Sequence, residues 1–549
     1  MSEPALLSVA FPTLNEEQIS ELSECAVAGP RRFEDGQRLF NSGDRNLNFF
    51  IVKSGAVDII DETGDEPTVV TTHHPGGFTG DVSHLTGLPA VVSAVARGTT
   101  EVYEITGDML RQVLNQCPII SDILLQAFIA RRQLLRDSAG FTGVRVIGSR
   151  YSADTFRVRD FLTKNRILFT WMDLETDPRV DHLLKEFGVT VSDTPVVSFA
   201  AKLLLRNPSN REIADAMGIR QPLEAQVYDL VIVGGGPAGL AAAVYGASEG
   251  LRTVVIEQTA PGGQAGASMR IENYLGFPTG LTGSDLANRA ILQANKFGAH
   301  LSVPTSVHRL AFENAYTLVH LDGGEAVTAK CMLIATGADY RRLDVEGCSR
   351  FEGLGVYYAA TVAEAQLCRA SDVMVVGGGN SAGQAAVFLS GSASRVWLAI
   401  RGGDLYQRMS SYLAHRIEQT PNIELLRYSL IRCMHGGTHL ESVDVVDSKT
   451  REVRSLTVQG VFSFIGAEPR TAWLPPEIEK DDKGFVRTGP EVSSSPHWQT
   501  ARAPFLLETS RPGVFAAGDV RSGSVKRVAS AVGEGSMAVQ FVHEFMKHM

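Results

Sequence analysis

The stretch that decides the fold is YDLVIVGGGPAG, at residues 228–239. Its apolar start predicts a buried strand, and the Ala-rich segment after it predicts a helix. Between them Gly234, Gly236 and Gly239 form a GxGxxG pattern. A tight turn, a close backbone approach to a pyrophosphate and close helix–strand packing each require a missing side chain. The next predicted strand ends at Glu257, which is placed to accept a hydrogen bond from a ribose hydroxyl. Together these features predict a dinucleotide-binding βαβ unit rather than a ligand-free turn.

A second Gly motif follows about 140 residues later. The predicted strand 373–376 leads into GGGNSA at 377–382, a GxGxxA variant. The strand after it, 395–400, is followed by Arg401 rather than by an acid. A cation at this place suits a 2′-phosphate on the ribose, which a carboxylate would repel. An ordinary solvated arginine is the alternative that the residues leave open.

Further motifs accompany the first Gly turn in a fixed order. They are PGGQ at 261–264, IENYLGFP at 271–278, ATGA at 335–338, GVFAAGDV at 513–520 and RVA at 527–529. This string resembles the low-molecular-weight thioredoxin reductase family over nearly all of residues 228 to 549. The resemblance implies a two-dinucleotide flavoprotein, in which an FAD-binding domain is interrupted by an inserted NADPH-binding domain.

The resemblance also implies which residues hold each cofactor. Those expected to bind FAD are Gly234, Gly236, Pro237, Ala238, Gly239, Glu257, Gly263, Gln264, Asn273, Val307, Gly337, Gly518, Asp519, Arg527, Val528 and Ala529. Those expected to bind NADPH are Gly379, Asn380, Ser381, Ala382, Arg401 and Arg408. The family's basic tripeptide is here Ile400-Arg401-Gly402, so part of that pattern is missing. Because FAD carries the chemistry, no catalytic acid or base is assigned, and no metal site is predicted.

The redox-active cysteine pair of the resembling reductases is absent. Their CxxC lies just before the second Gly motif, where this chain has AATV at 359–362. Alanine and valine form neither a thiolate nor a disulfide. Cys348 and Cys368 flank the region, but each is single and is expected to be a small buried hydrophobe.

We therefore expect electrons to pass from the flavin directly to an external acceptor, which is a quinone, a ferredoxin- or flavodoxin-like carrier, or oxygen. Two alternatives stay open. One is reduction of thioredoxin-type disulfides, as in the resembling family. The other is a flavin-based redox sensor that is regulated through the N-terminal part of the chain.

Residues 1–140 alternate short β-rich runs with Gly/Asp turns, and a helical stretch is predicted from about Thr106 to Ala139. The segment GDVSHLTGLPA at 80–90 resembles the phosphate cassette of the cyclic-nucleotide-binding family. Nucleotide binders of that family carry a Glu and an Arg where this chain has Asp81 and Ala90. Loss of the Arg leaves a buried phosphate without its partner, at a cost of about 2–5 kcal/mol. We therefore expect a docking or regulatory barrel and no cyclic nucleotide.

Residues 143–220 show a βαβ alternation that predicts a small α/β domain. This part resembles a glutaredoxin-like thioredoxin fold, with Thr194-Pro195 at the place of the family's cis-proline. Ser152 and Thr155 stand at the two cysteine positions, and hydroxyls cannot undergo thiol–disulfide exchange. The resemblance implies a thiol-free docking or dimerisation module.

The chain of 549 residues is thus predicted to be multidomain. Its expected parts are a β-rich cyclic-nucleotide-binding-type barrel with helices at 1–140, a small thioredoxin-like α/β domain at 143–220, and two nested Rossmann-type α/β domains, with FAD at 227–353 and 465–549 and NADPH at 354–464. The whole order resembles bacterial fusions of a cyclic-nucleotide-type domain with a thioredoxin-reductase-like flavoprotein.

Composition narrows the possible partners. A net charge of −10 and a pI near 5.8 argue against nucleic acid and anionic membranes as partners. The six cysteines form no CxxC motif and no secreted disulfide framework. No signal peptide is recognised at the start, so a cytoplasmic protein is expected. We also expect a homodimer, with NADPH and an unidentified electron acceptor as its partners.

Overall fold

The computed structural model describes residues 3–62, 67–137, 144–167, 169–199, 203–220, 223, 227–313 and 315–549. These residues form an N-terminal unit (3–137), a small α/β unit (144–220) and a C-terminal unit (227–549). The predicted domain boundary near 140–143 and most of the linker predicted at 220–224 lie outside the described residues. Among the described residues, no helix is long and apolar enough to cross a membrane.

The N-terminal unit is a β-rich body with flanking helices. Its elements are α1 (Glu3–Ala10), α2 (Glu16–Ser23), β1 (Arg31–Phe33), β2 (Arg38–Phe40), β3 (Phe49–Asp61), β4 (Thr68–His73), α3 (Ser83–Thr86), β5 (Ser93–Ile105), α4 (Gly107–Gln116) and α5 (Pro118–Asp137). The strands pair antiparallel in the order β1-β5-β3-β4, and β2 also pairs with β5. Phe49, Phe78 and Phe128 lie fully buried at its centre.

The helical stretch predicted from about Thr106 to Ala139 is present, as the two consecutive helices α4 and α5. The Thr106 hydroxyl caps α4 by accepting a hydrogen bond from the backbone N–H of Met109 at 3.3 Å. Cys117 leaves the helical conformation, with φ −114° and ψ 85°. The ring of Pro118 disfavours a helical residue before it, so α4 ends there and α5 begins at the proline. Ala139 lies outside the described residues.

The small α/β unit has the predicted βαβ start. Its elements are β6 (Val144–Gly148), α6 (Ala153–Lys164), β7 (Phe169–Asp173), α7 (Val180–Glu186), β8 (Val196–Phe199), β9 (Leu203–Arg206) and α8 (Asn210–Ala216). The strand order is β7-β6-β8-β9, with β6 and β7 parallel and the other pairs antiparallel. The peptide bond between Thr194 and Pro195 is cis.

The C-terminal unit contains two sheet layers, one of them carried by an insert. Its first elements are β10 (Val227–Val233), α9 (Pro237–Ser248), β11 (Thr253–Ile256), α10 (Gly263–Gly266), α11 (Gly283–Lys296), β12 (His300–Ser302), β13 (Val307–Glu313), β14 (Tyr316–Leu321), β15 (Ala326–Ile334) and β16 (Ala338–Tyr340). The chain then enters an insert with β17 (Val356–Tyr357), α12 (Val362–Leu367), β18 (Asp372–Val376), α13 (Asn380–Ser390), β19 (Arg395–Ala399), α14 (Ser411–Gln419), β20 (Ile423–Leu426), β21 (Ser429–His435), β22 (Ser442–Asp447), β23 (Val453–Thr457) and β24 (Gly460–Ser463). It returns through β25 (Ala467–Pro469), β26 (Val514–Ala516) and α15 (Val528–Met546).

Two sheets carry these layers. In the main sheet β12, β11, β10, β15 and β26 run parallel, and β14 and β13 add an antiparallel edge. In the insert sheet the order is β17-β24-β18-β19-β20, and all neighbours are parallel. An antiparallel ribbon of β16 and β25, here called the connecting ribbon, joins the two. The apolar run of β10 is buried throughout from Tyr228 to Val233, as expected for a parallel strand covered on both faces.

Candidate cofactor site

The first Gly turn brings helix α9 against the end of strand β10. Gly234 has φ +108°, and a Cβ there would lie 2.3 Å from the carbonyl oxygen of Ala335. A Cβ on Gly239 would lie 1.9 Å from the carbonyl oxygen of Gly234. No side chain fits at either position, so the helix approaches the strand as the GxGxxG pattern predicts.

A cavity of about 1340 Å³ opens at the carboxyl ends of the main-sheet strands. Parallel α/β sheets bind their ligands at this edge, and the volume exceeds the range of about 300–1,000 Å³ that is usual for one small ligand. The predicted site residues that line it are Gly234, Gly236, Pro237, Ala238, Glu257, Gly263, Gln264, Asn273, Gly337, Asn380, Ser381, Gly518, Asp519, Arg527 and Val528. One cavity therefore brings together residues of both Gly motifs and of the late motifs.

The other predicted site residues lie outside the cavity lining: Gly239, Val307, Gly379, Ala382, Arg401, Arg408 and Ala529. Gly239 and Ala382 are buried where their helices pack on strands. Val307 packs against the main-sheet core, and Ala529 is exposed on α15. Arg401 and Arg408 are exposed on loops of the insert. Their contacts with a cofactor stay predictions.

Glu257 is more constrained than the sequence suggested. Its Oε2 accepts a hydrogen bond from the Gly235 N–H at 2.7 Å. Its Oε1 accepts from the N–H groups of Thr259 at 2.9 Å and Ala260 at 3.3 Å. The carboxylate thus organises the loops on both sides of it. Each oxygen has two lone pairs, so the predicted contact with a ribose hydroxyl remains open to it.

Both Gly-motif helices present uncapped N-termini. α9 starts after Gly236 and α13 after Gly379, and neither glycine supplies a side-chain cap. The free N–H groups and the helix dipole favour a phosphate at such an end. The Asn380 side chain accepts a hydrogen bond from the Ser410 N–H at 2.8 Å, which holds the loop after Arg408 against α13. The residues present therefore fit two dinucleotides.

Polar groups line the cavity between the two motifs. Burial raises the pKa of Tyr340, whose hydroxyl is hydrogen bonded to Ser381 of the second motif. Burial likewise raises the pKa of Asp519 and lowers that of Lys526. The Lys526 Nζ donates to the backbone carbonyl of Asp519 at 2.9 Å. These groups shape the space where the two cofactors would meet.

The connecting ribbon is fastened by ion pairs that the sequence did not reveal. Arg470 donates to both carboxylate oxygens of Asp339, from Nε at 2.6 Å and from Nη2 at 2.5 Å. Arg341 pairs with Glu468 at 3.0 Å. Asp339 and Arg470 also line the cavity. Their positions depend on the pairing of β16 with β25, which no local pattern indicates.

The segment that replaces the CxxC pair is an ordinary helix start. Ala359 lines the cavity, and the Thr361 N–H donates to Glu364 at 2.7 Å, as does the Thr361 hydroxyl. This contact caps α12. The side chain of Val362 lies outside the described residues.

None of the six cysteines lines the cavity, although the Cys348 Sγ lies 3.9 Å from the hydroxyl of Tyr358, which does. All six are in the described part of the chain, are free, and are absent from the cavity lining. Cys348 and Cys368 are buried as expected. Burial raises the pKa of Cys348, and it raises that of Cys368 to about 12. Neither is a reactive thiolate at neutral pH.

The small α/β unit contacts both layers of the C-terminal unit. The Asn165 Nδ2 donates to the carbonyl of Thr259 at 2.9 Å, and the Arg166 Nη2 to that of Pro261 at 3.1 Å. On the insert side the ring of Phe156 lies 5.9 Å from that of Tyr357. Sequence reasoning missed these contacts because they join segments about 95 and 200 residues apart.

At the cysteine positions of the thioredoxin resemblance, Ser152 and Thr155 have structural roles. The Ser152 hydroxyl caps α6 by accepting from the Thr155 N–H at 3.2 Å. The Thr155 side chain is buried.

In the N-terminal unit, the predicted cassette is engaged internally. Asp81 accepts from the Ser83 N–H at 2.9 Å and lies 3.4 Å from Arg132. Burial alone would raise the pKa of Asp81, but its hydrogen bond with His84 and the charge of Arg132 lower it to about 2. Ala90 is buried in an apolar cluster. Leu292 of α11 joins the core around Leu85, so the cassette helix α3 packs on the C-terminal unit.

Comparisons with known proteins agree with this arrangement. Residues 228–535, more than half of the chain, match the family described as pyridine nucleotide-disulphide oxidoreductase. Residues 30–117 match the cyclic nucleotide-binding domain family. A thioredoxin reductase of Treponema pallidum (strain Nichols) is 36% identical over 318 residues, which are 57% of this chain and 94% of the relative.

A second relative and a solved structure show similar coverage. A thioredoxin reductase of Bacillus subtilis (strain 168) is 31% identical over 327 residues, covering 59% of this chain and 97% of the relative. The crystal structure of Lactococcus lactis thioredoxin reductase in the FR conformation superposes with a TM-score of 0.53 at 28% identity. The superposition covers 59% of this chain and 100% of the Lactococcus lactis chain.

Proposed function

Since the chain belongs to the pyridine nucleotide-disulphide oxidoreductase family, we propose that it oxidises NADPH and passes the electrons through FAD to an external acceptor, without thiols of its own. Its C-terminal unit is a thioredoxin-reductase-like, NAD(P)H-dependent flavoprotein, and FAD and NADPH are the cofactors of that class. The family and both cofactors predicted from the sequence are thereby confirmed. A cyclic-nucleotide-binding-type domain precedes this unit.

One observation carries the proposal. A single cavity is bordered by both Gly motifs, and Ala359 lines it at the place of the missing cysteine pair. None of the six cysteines reaches that cavity. An internal thiol therefore has no position from which to exchange electrons with a cofactor bound there.

The residues around the cavity would bind the two cofactors and orient them. The uncapped start of α9 would hold the FAD diphosphate, while Glu257 fixes the loops around it and accepts from the ribose. The start of α13, with Asn380 and Ser381, would hold the NADPH diphosphate, and Arg401 and Arg408 the 2′-phosphate. FAD, when bound, supplies the electron-transfer chemistry that side chains lack.

The two N-terminal parts are proposed to be docking modules. The strand order β7-β6-β8-β9, with one parallel and two antiparallel pairs, supports a thioredoxin-type fold for the small α/β unit. The internal pairing of Asp81 and the burial of Ala90 support a cyclic-nucleotide-type barrel that binds no cyclic nucleotide. We also expect a homodimer, which sedimentation would test.

The experiment is a stopped-flow measurement of flavin reduction followed by a screen of acceptors. NADPH should bleach the flavin rapidly, and a quinone, a small electron-carrier protein or oxygen should support turnover. Thioredoxin-type disulfides should not. As a control, the double variant Ala359→Cys with Val362→Cys restores the missing pair and shows whether disulfide reduction depends on it.

Two outcomes overturn the proposal. Turnover with thioredoxin disulfide by the unchanged protein would establish the disulfide-reductase alternative, which the relatives favour. Slow NADPH oxidation with every acceptor would instead indicate a sensor whose redox state is detected by partners.

A further inference from the structure

The loop after helix α6 of the small α/β unit reaches the cofactor cavity. Asn165 donates to the Thr259 carbonyl, and Arg166 donates to the Pro261 carbonyl through Nη2. Both residues line the cavity together with Gly263. A side chain from a separate unit thus borders the space assigned to FAD.

The backbone at Arg166 is unusual for an arginine. Its φ is +61°, in the left-handed region. The Arg166 N–H donates to the Thr163 carbonyl at 3.0 Å, and the Ile167 N–H donates to that of Leu162 at 2.9 Å, which closes α6. Glycine fills this helix-ending position at least cost. Within its own loop the Arg166 side chain makes one hydrogen bond, from Nη1 to the Lys164 carbonyl at 3.2 Å, and its Nη2 reaches across to the C-terminal unit.

That side chain lies beside the glycines opposite the first Gly turn. A Cβ on Gly262 would lie 3.2 Å from the Arg166 Nη2, and a Cβ on Gly263 would lie 2.9 Å from the Cα of Gly236. The Arg166 guanidinium thus lies against Gly262, and the adjacent Gly263 lies against Gly236 at the start of α9. This helix end is the proposed diphosphate site.

Among the described residues the Arg166 guanidinium forms no ion pair, although the charge of Asp285 acts on it. Within the described part of the chain the Arg166 Nε is buried without a hydrogen-bond partner. Burial lowers the pKa of Arg166 to about 10, and Asp285 is the acid whose charge acts on it. A largely desolvated cation that faces a cavity is stabilised by an anion bound there.

We propose that Arg166 is an FAD-binding residue, contributed by the small α/β unit, whose guanidinium neutralises the diphosphate of FAD. The inference rests on the proposed FAD site and extends it to a residue outside the family's own domains. It makes retention of FAD depend on docking of the small α/β unit.

The test measures FAD binding to the full-length apoprotein. Arg166→Gln and Arg166→Gly should raise the FAD dissociation constant by about 10- to 100-fold, the effect of losing a hydrogen bond to a charged group. ADP, which carries the diphosphate without the flavin ring, should lose affinity by a similar factor in competition. Arg166→Lys should give an intermediate value. Since Arg166→Gly removes the backbone strain, its apoprotein should melt no lower than the wild type.

Arg451→Gly is the matched control. Arg451 is also an arginine with positive φ, +65°, but it is exposed in the turn between β22 and β23 and does not line the cavity. This variant should bind FAD as the wild type does.

Three results of these binding measurements would contradict the inference or the proposed function, and they differ from one another. If Arg166→Gln and Arg166→Gly bind FAD and ADP like the wild type, Arg166 is only an interdomain contact and the inference is overturned. If they lose FAD affinity but keep ADP affinity, the contact is not with the diphosphate and the inference is equally wrong. If the wild-type apoprotein binds no FAD, the proposed function itself fails.

Discussion

Replacing Glu257 with glutamine should loosen the first Gly turn before any cofactor binds. The carboxylate accepts from three backbone N–H groups, those of Gly235, Thr259 and Ala260. Glutamine has one acceptor oxygen, and its NH₂ group can only donate. At least one buried N–H must therefore face a donor, at a cost of about 1–3 kcal/mol.

Hydrogen–deuterium exchange of the FAD-free protein measures this cost. Exchange at Gly235 or at Thr259 and Ala260 should accelerate by about 5- to 150-fold in Glu257→Gln. Glu313→Gln, which changes an exposed glutamate at the end of β13, is the control and should leave these amides unchanged. Unaltered exchange in Glu257→Gln would refute the reasoning, since it would mean that the carboxylate does not hold the turn.

Three further predictions follow from single groups. Burial lowers the pKa of His73 to about 3, so as pH falls below about 6.5 the unfolded chain binds a proton that the folded chain excludes. The free energy of unfolding should therefore fall by about 2 kcal/mol between pH 7 and pH 5 in the wild type. His73→Gln should not show this fall. Arg401→Ala and Arg408→Ala should each raise the KM for NADPH about tenfold and leave the KM for NADH unchanged. An equal rise in the two KM values would show that these arginines do not bind the 2′-phosphate. Cyclic AMP at micromolar concentration should give no heat in calorimetry, because Asp81 is already paired and no cation stands at position 90.

Local patterns were enough to predict the nucleotide layers. The apolar run of β10 and the side-chain-free positions Gly234 and Gly239 specify a strand, a turn and a helix within a dozen residues. The missing cysteine pair was equally visible at residues 359–362. The division of the helical stretch at Cys117 was not predicted, although the ring of Pro118 disfavours a helical residue before it.

The contacts that complete the site could not be predicted in this way. Arg470 and Asp339 meet because β25 returns beside β16 after the whole insert. Arg166 meets Pro261 because one folded unit docks on another. In each case the partners are distant in sequence, and no periodicity or spacing relates them.

The most direct test of the account is a variant without thiols. All cysteines would be replaced by alanine, at Cys25, Cys117, Cys331, Cys348, Cys368 and Cys433. Stopped-flow absorbance would follow flavin bleaching by NADPH, and steady-state assays would follow turnover with the best acceptor. The account predicts that the variant bleaches and turns over as the wild type does. Normal bleaching with lost turnover would contradict it, because a thiol, with Cys348 and Cys368 the first to restore singly, would then carry the electrons to the acceptor.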